Sequence, residues 1–96
     1  MAVKITNGKI PVIFFKEDGK VVAYSPALDL STCGDTEVQA QERFVEAVKI
    51  FLSEITKMGT VENVLTECGW KKTTPERSWS PPTYRKKLVQ IPTGAY

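Results

Sequence analysis

The sequence predicts an α+β domain: a three-stranded antiparallel meander packed on one long helix, then a short second helix and a C-terminal strand. Three observations predict it. Apolar, strand-forming runs on either side of Asp18-Gly19 mark a hairpin. Apolar residues from Ala40 to Met58 recur at helical spacing. Between the two, the stretch 24–36 carries a third strand, a glycine corner and a helix cap, so it joins sheet to helix.

The first strand, residues 9–16, is apolar on both faces, with Ile10, Val12 and Phe14 on one and Pro11, Ile13 and Phe15 on the other. A half-exposed strand alternates, so both faces are expected to be covered, the second by the chain's own tail and loops or by another chain. Asn7-Gly8 is a further turn signal, and residues 3–6 are a candidate extra edge strand. Asp18-Gly19 suits a type I′ turn, whose two central residues need positive φ. The return strand is 21–25; beyond Pro26, Leu28, Leu30 and Thr32 alternate with Asp29, Ser31 and Cys33 as the third strand.

Gly34-Asp35-Thr36 turns the corner, and either Asp35 or Thr36 can cap the helix. Thr36 with Gln39 fits a capping box, and Glu37 suits the positive end of the helix dipole. Ala40, Phe44, Ala47, Val48, Phe51, Ile55 and Met58 form the apolar stripe of about six turns. Gln41, Glu42, Glu46, Lys49, Ser53 and Lys57 form the polar face, and Gly59 is placed to end the helix. Thr60 is expected to cap a short helix over 61–68, and Trp70 to close the edge of the core rather than anchor a partner. Residues 71–83, with Pro75, Pro81 and Pro82, read as a loop or linker. Leu88-Val89-Gln90-Ile91 then regains strand character, to pair within its own sheet or cross to a neighbouring subunit.

Ninety-six residues suit one domain, here divided into a body, 1–70, and a basic, proline-containing tail, 71–96. The body holds seven basic and ten acidic residues, a net −3, and the tail six and one, a net +5. Such asymmetry suits a charged partner for each part. No run of residues is apolar enough for a membrane span, and the first residues lack a signal-peptide pattern, so the expected location is cytoplasmic. Cys33 and Cys68 are then expected to be buried free thiols rather than a disulfide.

The chain has no histidine, which removes the commonest general base and leaves neither cysteine a partner for nucleophilic catalysis. Two cysteines do not make a zinc site. Metal-dependent nucleases gather carboxylates at strand ends, and Asp18, Asp29, Asp35 and Glu37 are the set to weigh against that pattern. The set falls apart: the turn explains Asp18, capping explains Asp35, and Asp29 stands alone. No phosphate-binding glycine loop occurs. The expectation is a binding protein without catalytic residue, metal or cofactor. Lys71, Lys72, Arg85, Lys86 and Lys87, with Trp79 and Tyr84 among them, are candidate nucleic-acid contacts; solubilising or edge-protecting charge is the plainer reading.

An ordered set of motifs carries a family resemblance. It runs through Val12-Ile13-Phe14-Phe15, Val22-Ala23-Tyr24, Pro26-Ala27-Leu28, Cys33-Gly34-Asp35-Thr36, Ala40, Ala47, Phe51-Leu52 and Leu65-Thr66-Glu67-Cys68-Gly69-Trp70. Across residues 9–70 this resembles the HicB-like antitoxin family. The resemblance implies a partial ribonuclease-H-like fold without a nuclease site, which binds and neutralises a small, basic HicA-type messenger-RNA interferase. Many members also carry a helix-turn-helix or ribbon-helix-helix module, for which residues 71–96 are too short and too rich in proline. Tyr24, Pro26, Asp29 and Asp35 are the candidate toxin contacts, and a homodimer or higher homo-oligomer is the expected assembly. The competing expectation is a homo-oligomeric nucleic-acid-binding or regulatory domain acting through the basic tail.

Overall fold

A computed structural model describes residues 3–73 and 78–94. The chain forms β1 (Ile13–Glu17), β2 (Lys20–Ser25), β3 (Leu30–Gly34), α1 (Glu37–Lys57), α2 (Val61–Glu67), β4 (Lys71–Thr73) and β5 (Ser78–Ser80). β1, β2 and β3 make an antiparallel sheet in that order, and β4 pairs with β5 as a separate hairpin. The expected α+β architecture is therefore present, with its terminal strand pair at 71–80.

Both residues of the Asp18-Gly19 turn have positive φ, 51° and 77°, so the hairpin takes the twist its flanking strands need. Its register sets Phe14, Ala23 and Thr32 in one row across the sheet, facing α1. Thr32 donates its hydroxyl to the Ala40 carbonyl at 3.0 Å, tying sheet to helix. Ala23 and Ala40 are fully buried beside Phe44, because only small side chains fit where the two layers touch. Gly34 marks the closest approach: a Cβ there would lie 2.8 Å from the Ala40 backbone nitrogen.

α1 begins as its sequence requires. The Thr36 hydroxyl accepts from the Gln39 amide at 3.1 Å, and the Gln39 side chain accepts from the Asp35 amide at 2.7 Å. Gly59, at φ 68°, ends it in the left-handed conformation. Met58 caps the helix and is exposed, so the inward stripe stops at Ile55. The Thr60 hydroxyl does not cap α2 and donates instead to the Ile55 carbonyl at 3.4 Å. The larger core cluster joins Ala27, Leu28, Ile55, Leu65, Trp70 and Trp79.

Several expectations need correction. β3 starts at Leu30 because 26–29 is a turn, and Leu28 drops into the core instead of lying on a strand. The stretch expected to be a linker folds back as the β4–β5 hairpin and buries Trp79. Residues 3–6 contribute a single parallel bridge, Ile5 to Trp79, beside β5 rather than along the meander. Cys33 is exposed and Cys68 half-buried, although both are free thiols. Leu88-Val89-Gln90-Ile91 forms no strand, because a ladder needs a paired neighbour and no ladder among the described residues includes it. β1 sits at the sheet's edge, and its second face is left open as well, with Ile13 52% and Phe15 44% exposed.

Candidate functional site

Three of the four predicted contact residues, Tyr24, Pro26 and Asp29, come together. Tyr24, on β2, donates its phenol to the Asp29 carboxylate at 3.0 Å. Asp29 occupies φ 51° in the 26–29 turn, a conformation that Asp tolerates because its short side chain bonds locally. Pro26 stands in the same turn, which the Ser25 hydroxyl braces by accepting from the Ala27 amide at 3.2 Å. From the other side, the Trp70 indole donates to the Ala27 carbonyl at 2.7 Å. Backbone and side chain thus hold one exposed carboxylate at a defined place.

That arrangement shifts the phenol. The hydrogen bond to Asp29 raises the Tyr24 pKa above its ordinary value, with partial burial, the Asp29 charge and nearby Tyr84 adding to it. The Cys68 thiol is also pushed up, first by burial and then by Glu67 and Asp29.

Asp35 lies elsewhere, at the opposite end of β3. Five strand residues separate it from Asp29, a span of about 15–20 Å at strand rise. The two carboxylates cannot share an ion at that distance, and no group of three or more metal-ligating side chains gathers among the described residues. Asp35 instead pairs with the Lys20 ammonium across the hairpin end. This hydrogen bond and its charge hold the Asp35 carboxyl below the usual carboxylate range, with Arg43 acting in the same sense. Arg43 also donates to the Cys33 carbonyl at 2.9 Å, so the corner is bound up with itself.

A depressed folded pKa contributes stability above the ordinary carboxylate range, and that contribution disappears as the pH falls through the folded value. Lys20→Gln is therefore expected to move the Asp35 titration upward toward the ordinary range. A carboxylate NMR titration reads this directly, and an unchanged midpoint would show that Lys20 does not act on Asp35.

The basic residues form two groups. Lys71 and Lys72 lie exposed on β4, with the Lys72 ammonium 5.9 Å from the centroid of the Trp79 ring. Arg85, Lys86 and Lys87 lie exposed on the extended segment beyond β5. Trp79 is only 6% exposed, so it offers no open face on which a base could stack. Tyr84 keeps about half its surface.

Sequence reasoning offered another chain as one cover for the second face of β1, without placing the candidate contacts there. Register places Ile13, Tyr24 and Ser31 in one row and Phe15, Val22 and Cys33 in the next, all facing away from α1. The signal was the second apolar face of β1. What it lacked was the path of the rest of the chain, which leaves that face uncovered. No helix among the described residues is long and apolar enough to cross a membrane. No family model, curated protein or solved structure matches the chain.

Proposed function

We propose that this chain is a non-catalytic binding protein of the antitoxin type, which neutralises a small, basic HicA-type messenger-RNA interferase by covering its active surface. The observation that carries the proposal is the Tyr24–Asp29 pair beside the open sheet face. An apolar patch bordered by an oriented carboxylate is built for protein contact, with apolar area for affinity and charge for steering and register. The net −3 of residues 1–70 complements a basic partner. The resemblance of residues 9–70 to HicB-like antitoxins supplies the partner's class. Asp35, paired with Lys20, has a structural part at the corner, and the contact centres on Tyr24, Pro26 and Asp29.

The test is coexpression with a HicA-type interferase, taken first from any small basic open reading frame that adjoins the gene. The wild-type chain should restore growth and co-purify with that product. Asp29→Asn keeps a residue that tolerates the left-handed turn but removes the charge, and capture should weaken by about tenfold, or 1.4 kcal/mol. Neither rescue nor co-purification would reject the reading. Nucleic acid retained through Arg85, Lys86 and Lys87, and released as salt rises, would favour a nucleic-acid-binding domain instead.

A further inference from the structure

The sheet stops at β1, and the space beside that strand is already shaped. α1 packs chiefly over β3 and β2. Between α1 and the β1 side remains a groove of about 530 Å³, walled by Ile10, Val12 and Phe14 on one side and Phe44, Val45 and Val48 on the other. It lies where the inward side chains of a fourth strand would fall. Alternate backbone groups of β1 point toward β2, and the remainder point to the free edge.

A strand of suitable composition is present and unused. Residues 83–94 are all exposed, and Leu88, Val89 and Ile91 are 92%, 68% and 63% so. The radius of gyration, 15.9 Å, exceeds the about 12.5 Å of a compact chain of this length. Pro81 and Pro82 hold the base of this segment extended, and Pro82 leaves the body beside Gly69, within 3.7 Å of where a Cβ would stand. Exposed apolar residues at strand spacing are costly in water unless something covers them.

We infer that residues 84–91 of a second copy add to the free edge of β1 as a fourth strand, so that two chains exchange tails reciprocally. On one face of that strand Val89 and Ile91 enter the groove, and Arg85 and Lys87 follow at the same parity. On the other face Leu88 lies beside Ile13 and Phe15 and covers part of their exposed surface. Charge selects the direction. Glu42 lies on the helix side toward the start of α1, whereas Lys9 and Lys49 line the groove farther along, Lys49 with Glu46 3.8 Å from its ammonium. An antiparallel strand sets Arg85 and Lys87 toward Glu42 and away from Lys9, with the Glu46–Lys49 pair neutral between them; a parallel one reverses this. Lys16 on β1 opposes the arrangement, and Glu17 and Asp18 at the hairpin offset it. Because the exchange is reciprocal, its two identical contacts close as a twofold dimer in which β1 is no longer an edge strand. The dimer does not depend on any toxin.

Analytical ultracentrifugation of the full chain should show a dimer. The double variant Val89→Asp, Ile91→Asp should dissociate at least about tenfold more readily, since each charge would sit in an apolar groove. Both positions are exposed in the monomer, so the variant's circular dichroism should match the parent's. A chain monomeric at micromolar concentration, or a dimer indifferent to the two substitutions, would overturn the inference. Exchange is read separately, in chains carrying Cys33→Ser and Cys68→Ser. One has Ile13→Cys, the other Leu88→Cys, and a short bis-maleimide should join them when mixed. Crosslinking only when both substitutions share one chain would mean that the tail folds back on its own body, which also overturns it.

Discussion

Trp70→Ala is expected to lower the free energy of unfolding by about 3–5 kcal/mol, a large part of the about 5–15 kcal/mol that holds a domain together. The indole is 3% exposed and packs with Leu65, Ile55 and Ala27 in the larger core cluster. Its removal leaves a cavity and also strips the Ala27 carbonyl of its donor. Trp70→Phe separates the two effects: it keeps most of the packing and leaves the carbonyl unpaired, for about 1–3 kcal/mol. Urea denaturation followed by circular dichroism measures both. A loss below about 1 kcal/mol for Trp70→Ala would show that the side chain is not part of the core. Ala27 adjoins the turn that presents Asp29, so Trp70→Phe should also weaken partner capture while the chain remains folded.

Trp79→Ala is expected to cost a similar about 3–5 kcal/mol, for a different reason. Trp79 belongs to the same cluster, but it also brings the β4–β5 hairpin against the start of the chain. Its backbone amide donates to the Lys4 carbonyl at 2.7 Å, and Ile5 bridges to it. Losing the ring should loosen the hairpin and residues 3–5 together, which amide hydrogen exchange would resolve. A tryptophan that served nucleic acid would behave in the opposite way. It would cost little stability and remove about 1–3 kcal/mol of stacking from binding. The two tryptophans share neighbours, so the double variant should not show the sum of the single losses.

Tyr24 and Asp29 show how far sequence reached into the candidate site. Both stood out through the motif around Pro26, and the fold joins them by a hydrogen bond. Asp35 stood out through the same motif, yet its carboxylate answers to Lys20, fifteen positions away in sequence. A residue's partner across a hairpin end depends on register, and side-chain spacing does not reveal it. The outer face of β1 was visible as an apolar row, but whether anything covered it depended on where the rest of the chain packs.

Local rules acting over a few residues determined much of this protein from sequence alone. Asp18-Gly19 sets the hairpin because its φ angles suit that turn, Thr36 and Gln39 begin α1, and Gly59 ends it. The apolar stripe through Phe44 and Ile55 turns one helix face to the core. Contacts distant in sequence were decided only by tertiary structure. Trp79 reads as a loop residue among prolines until the hairpin folds it onto Ile5. Leu28 alternates like a strand residue, yet burial in the core gains more than another ladder position. Leu88, Val89 and Ile91 have strand composition without a strand, because a ladder needs a second edge and composition cannot say which chain supplies it.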